Sequence, residues 1–489
     1  MAGLRRGLVA LLAAACSGLA VAVADAPLQP CRLDGVEHPA LCGTLQRPLD
    51  PAMPGGRAIT LHYAVLPALS RHKRADAVFF FAGGPGQSAM ALAGPVGRLL
   101  ARFSNRRDIV LIDQRGTGRS APLVCEGDAA PQRPLRDSAD PVVVQQMLAR
   151  CRQALQQLPH GDLRQYTTPL AMQDADAVRQ ALGLERINLV GASYGTRAAL
   201  DYLRQFPQAV RRVVLDGVAP PDMVLPLSFA ADGQAALDAL LAWCDADAAC
   251  RRQHPALRQT WQRLLASLPR EVTLTHPLTG ADETLHMTPA MLAGLVRAPL
   301  YAPALAAALP AALQAASDGR WTPLAGLAMA LGGGARSATV AQGMHFSVVC
   351  AEDLPRLERV PAAPASDFGA GLTDLYLQAC ASWPRGVLPP DFYRLPAAPV
   401  PVLLLSGAAD PVTPARHGQR VALALGANAR HVVVPNAGHG VMGLGCLRDV
   451  VFRFVDAADD AAALALDTGC AMGLPRPPVF RLPVPEAGR

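Results

Sequence analysis

The segment Gly191-Ala192-Ser193-Tyr194-Gly195 sets a serine between two glycines, with the apolar run Ile187–Val190 just before it and the helical pattern Thr196–Phe206 just after. A strand–turn–helix setting strains the central residue, and flanking glycines relieve the crowding around it. The hydroxyl then stands exposed at the head of a helix as a nucleophile, which still needs a base and an acid to orient that base. Two further apolar runs end in such groups. Val402–Leu405 leads to Ser406-Gly407-Ala408-Ala409-Asp410, and His431–Val434 leads to Pro435-Asn436-Ala437-Gly438-His439. Strand ends at the carboxyl edge are where α/β sheets gather their chemistry, and the chain order serine, acid, histidine suits an elbow-type nucleophile. The expected set is Ser193 as nucleophile, His439 as base and Asp410 as acid. Asp216, in Val213-Val214-Leu215-Asp216-Gly217, also follows an apolar run. It is the rival for the acid, read here as a carboxylate that structures a loop.

Upstream, Phe79-Phe80-Phe81-Ala82-Gly83-Gly84-Pro85-Gly86 ends another apolar run in a glycine-rich loop. No Gly-Lys-Ser/Thr follows, which argues against a phosphate cradle. Beside an activated serine, such a loop supplies a backbone N–H to a developing oxyanion. Gly84 N–H and Tyr194 N–H are the expected donors.

The elements that must hold these groups are short. Ala77–Phe81, Ile109–Ile112, Ile187–Val190, Val213–Leu215, Val402–Leu405 and His431–Val434 have strand length and little alternation, as expected of strands buried on both faces. Helical patterns at Ala171–Leu182 and Tyr194–Phe206 lie between them, so the fold class is α/β with a mostly parallel sheet and helices on both faces. The alternation fails across residues 226–395, which are rich in Ala, Leu and Pro, and resumes after a Pro-rich linker. The expected organisation is a leader at 1–24, a core formed by 25–225 and 396–489, and a helical cap inserted at 226–395.

Hydrophobic residues make up 51% of the 489-residue chain, which excludes disorder as a description of the whole. A net charge of +6 gives no footprint for nucleic acid. Arg5 and Arg6, the apolar stretch Leu8–Ala15 and Ala22-Val23-Ala24 read as an export signal. Ala13-Ala14-Ala15-Cys16 offers a second reading, a lipid anchor at Cys16. Loss of Cys16 leaves ten of the 11 cysteines, an even number suited to an oxidising compartment, periplasmic or extracellular. Pairing neighbours closes the shortest loops, so the expected bridges are Cys31–Cys42, Cys125–Cys151, Cys244–Cys250, Cys350–Cys380 and Cys446–Cys470. No Cys-x-x-Cys or His-Glu-x-x-His occurs, so no metal and no cofactor is expected. The uncharged stretch between Arg297 and Asp318 is broken by Pro299, Pro303 and Pro310, and reads as short helices rather than a membrane span.

Gly83-Gly84-Pro85-Gly86, Asp113-Gln114-Arg115-Gly116-Thr117-Gly118-Arg119-Ser120 and Gly191–Gly195 together resemble α/β-hydrolase exopeptidases of the prolyl-iminopeptidase and tripeptidyl-aminopeptidase type. Cys42-Gly43-Thr44-Leu45 and Cys350-Ala351-Glu352-Asp353 are similar to the exported tripeptidyl-aminopeptidase branch, over about residues 40–470. Ala82 stands where many prolyl iminopeptidases carry His, a departure from the prolyl branch. The resemblance implies hydrolysis of peptides near a free N-terminus, with a carboxylate to register the ammonium group; Glu352 and Asp353 are the candidates. Asp113 and Arg115 are expected to hold a turn by pairing with each other. A carboxylesterase or lipase, and a non-catalytic binding protein on the same fold, are the alternatives.

Overall fold

Phe79 and Phe80 are neighbours in sequence yet belong to different apolar clusters, one on each side of a sheet. Side chains alternate across a strand, so a run that is apolar at every position must be covered on both faces. The structure, a computed structural model, describes residues 28–126, 128, 134–330, 339–357 and 366–480. The expected leader and Cys16 lie outside the described residues.

Nine strands form one sheet. In chain order they are β1 (Gln29–Cys31), β2 (Ala40–Pro48), β3 (Ala58–Leu66), β4 (Ala77–Phe81), β5 (Ile109–Ile112), β6 (Ile187–Ala192), β7 (Val210–Asp216), and then, after a two-stranded hairpin of β8 (Arg270–Thr275) and β9 (Asp282–Met287), β10 (Val402–Gly407) and β11 (Ala429–Val434). Their order across the sheet is β1-β2-β3-β5-β4-β6-β7-β10-β11. The six strands from β5 to β11 run parallel, while β1, β2 and β3 extend the edge antiparallel. Helices Thr168–Ala181, Tyr194–Gln205 and Ala415–Leu425 cover one face, and helices Ala93–Leu99 and Leu447–Asp456 the other.

The segment between β7 and β10 builds an apolar cluster of its own around Leu237, Leu240, Trp261, Val296 and Leu313. It is not wholly helical. In the β8–β9 hairpin, Val272, Leu274, Leu285 and Met287 are buried while Thr273 and Thr284 face solvent, a period-two pattern that the Ala/Leu-rich surroundings obscured. Helix Gln342–Glu352 packs instead into a cluster shared with Leu61, Leu123 and Tyr166, fusing this part of the insertion to the sheet side. The chain end returns to the insertion, where Phe480 N donates to the Ala307 carbonyl at 3.0 Å. The uncharged stretch forms helices Pro289–Leu300, Pro303–Ala306 and Leu309–Ser317, divided near its prolines. Among the described residues no helix is long and apolar enough to cross a membrane. All five expected disulfides are formed.

Candidate active site

β6 ends at Ala192, helix Tyr194–Gln205 begins one residue later, and Ser193 makes the whole turn at φ 56° and ψ −124°. A non-glycine residue there stores on the order of 1–3 kcal/mol, so the surroundings must over-determine it. They do: Ser193 N donates to the Asp216 carbonyl at 2.8 Å, and the Ser193 carbonyl accepts from Thr196 N at 2.9 Å. The flanking glycines are steric necessities. A Cβ on Gly191 would collide with the Gly195 carbonyl, and one on Gly195 with that of Phe81.

Asp410 follows β10 and His439 follows β11, and these strands are parallel neighbours. His439 Nδ1 lies 2.8 Å from Asp410 Oδ2. Asp410 also accepts from Val412 N and Thr413 N at 2.9 Å each, and from the Thr413 hydroxyl at 2.7 Å. Thr413 Oγ1 is in turn 3.0 Å from His439 Nδ1. With the Nδ1 proton directed at the carboxylate, Nε2 carries the lone pair. Burial opposes charge on the imidazole, but the Asp410 carboxylate outweighs it and holds His439 above its ordinary value. The same pairing holds Asp410 below the usual carboxylate range despite burial.

Asp216 does not compete for the imidazole nitrogen. Its oxygens accept from Val441 N at 2.8 Å and Met442 N at 2.9 Å, anchoring the loop just beyond His439. The inserted segment supports the same loop, because His439 N donates to the Tyr301 carbonyl at 2.8 Å and the two rings meet edge-on.

Ser193, Thr413, Gly84, Tyr194 and Tyr301 line one cavity of about 220 Å³. The glycine-rich loop packs directly on the serine: a Cβ at Gly83 would stand 3.1 Å from Ser193 Cβ. Gly84 has φ +111°, a conformation side chains rarely adopt. Tyr194 N heads a helix, where N–H groups have no intrahelical acceptor. His345 holds this loop from the insertion, with Nδ1 3.1 Å from the Pro85 carbonyl and Nε2 2.6 Å from the Tyr376 hydroxyl. Burial pushes His345 down to about 4, so it is a neutral strut.

A family model described as the alpha/beta hydrolase fold matches residues 76–445. The chain belongs to the α/β-hydrolase fold family. It is 32% identical over 212 residues to the tripeptidyl aminopeptidase of Streptomyces lividans, a match covering 40% of this chain and 38% of that enzyme. The chain thus spans less than half the length of that relative. It is also 29% identical over 429 residues to serine protease Hip1 of Mycobacterium tuberculosis, covering 80% of each.

Two expectations for this α/β hydrolase are corrected by side-chain placement. Glu352 and Asp353 do not present an open ammonium site. Both are buried, and Asp353 makes a two-pronged pair with Arg197 at 3.0 Å on each arm. Glu352 stands 3.3 Å from Arg197 and accepts from Thr168 N at 2.6 Å and the Thr168 hydroxyl at 3.0 Å. That hydroxyl is also 2.6 Å from the Tyr194 hydroxyl. The cluster therefore braces the first turn after Ser193, where Arg197 is positioned. Burial pushes Glu352 up to about 7 against the opposing pull of Arg197. Asp113 and Arg115 do not pair with each other either. Arg115 grips Asp174 at 2.7 and 2.9 Å, while Asp113 accepts from the Ser88 hydroxyl at 2.5 Å and Arg119 N at 3.0 Å.

Thr413 and His345 were not picked out from the sequence. Thr413 carries a faint signal, being three residues past Asp410, a spacing at which short polar side chains cap a turn. His345 carries none, since its partners lie 260 and 31 residues away. Among the described residues no group of three or more His, Cys, Asp and Glu side chains could hold a metal ion.

Proposed function

We propose that this chain is an exported serine peptidase that cleaves peptides near a free N-terminus through an acyl-enzyme. The observation that carries the reading is the convergence of the strained Ser193 turn with the His439–Asp410 pair on one sheet edge. Ser193 attacks the scissile carbonyl while His439 Nε2 takes its proton. Asp410 keeps the imidazole in the required tautomer and stabilises the imidazolium that forms. The Gly84 and Tyr194 amides donate to the tetrahedral oxyanion, each worth roughly 2.7–4 kcal/mol in such sites. His439 then returns the proton to the leaving amine, and water resolves the ester by the same base. Similarity to proteins named tripeptidyl aminopeptidase and serine protease supports a peptide substrate. Five disulfides support an oxidising compartment, in keeping with the leader-like residues 1–24.

The test is a peptide–nitroanilide series of one, two and three residues, each with a free and an acetylated N-terminus. Free tripeptides cleaved fastest, with acetylation abolishing the rate, is the expected result. A best single-residue substrate would move the reading to an iminopeptidase. Indifference to acetylation, or turnover of esters alone, would replace it with an esterase.

A further inference from the structure

Beside the cavity at Ser193 lies a second one of about 380 Å³, within the range of small-molecule sites. Phe229, Arg297 and Leu372 line both, so the two cavities adjoin at these side chains. Most of the rest of its wall comes from the β8–β9 hairpin and from helices Pro289–Leu300 and Gly371–Cys380, and apart from Arg297 the wall is made of apolar, glycine and threonine residues. Arg297 is the single charged residue on that wall among the described residues. Its guanidinium lies 5.3 Å from the Phe229 ring centre, and its Nη1 is buried without a hydrogen-bond partner. Folded chains rarely leave such a donor unsatisfied, and a small rotation of the Arg297 side chain would present it to an acceptor held at the junction.

We propose that this cavity is a specificity pocket for a bulky apolar side chain on the acyl side of the scissile bond, with Arg297 donating to a main-chain carbonyl of that same substrate segment. The proposal rests on the peptidase reading above. A peptide whose carbonyl sits at Ser193 must pass Arg297 to enter the pocket, so its backbone oxygen arrives where the free donor is. A carbonyl is the acceptor that fits. A carboxylate moved there would lose its hydration and find one guanidinium against an apolar wall. An ammonium is no better served, because no carboxylate lines either cavity among the described residues. Within these two cavities grip on the acyl segment comes from apolar burial and from Arg297, and the ammonium group of a free peptide must lie beyond both.

Gly294, an exposed residue of the pocket wall, is where a bulky side chain would narrow the entrance. It lines the pocket, and a Cβ there would meet nothing within 4 Å. The experiment measures kcat/KM for peptide nitroanilides carrying Ala, Leu or Phe before the scissile bond, in the wild type, Gly294→Phe, Arg297→Met and Arg297→Lys. Fluorophosphonate labelling of Ser193 in each variant reports folding and the nucleophile. The wild type should prefer Phe or Leu over Ala by roughly 10–100-fold. Gly294→Phe should collapse that ratio towards one by raising KM for the large substrates. Arg297→Met should lower kcat/KM about 10–100-fold for large and small alike, with Lys restoring part of it. A flat wild-type preference with peptides still cleaved would overturn the pocket and leave the peptidase. So would equal loss on every substrate in Gly294→Phe. If peptides are inert but nitrophenyl esters of increasing acyl length show a size preference that Gly294→Phe removes, the peptidase reading fails and the pocket stands.

Discussion

Two acid–base pairings with buried carboxylates support the site around Ser193. In one, Asp410 holds His439 at 2.8 Å; in the other, Asp353 and Glu352 hold Arg197 at 3.0 and 3.3 Å. The acids of both are hydrogen-bonded, and by their burial alone they are alike. The cation separates them. An imidazole titrates near neutrality and keeps a second nitrogen for a substrate, whereas a guanidinium does not release its proton. The first cluster can therefore relay a proton, and the second can only hold a shape. The comparison teaches that a buried carboxylate is assigned by what it faces, not by how deeply it lies.

The comparison breaks most visibly at the serine. Ser193→Ala should cut kcat by about 10⁶-fold with an unchanged melting temperature; residual turnover within tenfold of wild type would remove Ser193 from the mechanism. Next, Asp410→Asn should lower kcat about 10⁴-fold, and Asp216→Asn far less, because an amide oxygen can still accept from the loop. The reverse order would make Asp216 the acid. The rate of the wild type should fall on the acid side as pH drops through a value above the ordinary histidine range, because Asp410 raises His439 and only the free base accepts the serine proton. Asp410→Asn should move that limb to lower pH.

The bracing cluster should respond in stability instead. Asp353→Ala leaves Arg197 with half its partners in a buried site and should cost about 3–5 kcal/mol in urea unfolding. An equal loss of kcat in the fraction that remains folded would show that the cluster does more than brace. The smallest effect is on pH dependence. Glu352 is raised to about 7 in the folded chain, above the value of 4.5 for a free side chain. The folded state then binds the extra proton, so this group adds stability at low pH that is lost as pH rises through that window. Glu352→Gln should flatten the decline in melting temperature from pH 5 to 8; an unchanged decline would place the titrating group elsewhere.

Much of the site was legible because its members end apolar runs. Ser193 and Asp410 follow strands whose lack of alternation marks them as central, His439 follows the edge strand β11, and parallel strands deliver their last residues to one edge. The antiparallel edge β1–β3 and the β8–β9 hairpin were missed, since polar residues interrupt them and leave no continuous apolar run of the kind that marks the central strands. The Glu352-Asp353 pair was misread for a different reason. Two adjacent acids announce a positive partner, and the sequence does not say whether that partner is a substrate or Arg197, more than 150 residues away.

The sequence by itself determined the turn at Ser193 and the chain order of Ser193, Asp410 and His439 at strand ends, because each depends on residues close in the chain or on strand periodicity. Only the tertiary structure decided which carboxylate the imidazole meets. β7 and β10 are adjacent, and each has an aspartate at or just past its end, Asp216 as the last residue of β7 and Asp410 three residues beyond β10, so their positions are nearly equivalent in one dimension. Side-chain direction breaks the tie: Asp216 turns to the backbone of the loop after His439, and Asp410 turns to the ring. The same holds for the apolar pocket, whose walls come from β8, β9 and several helices. A cavity is the space between elements, and that space exists only once they have packed.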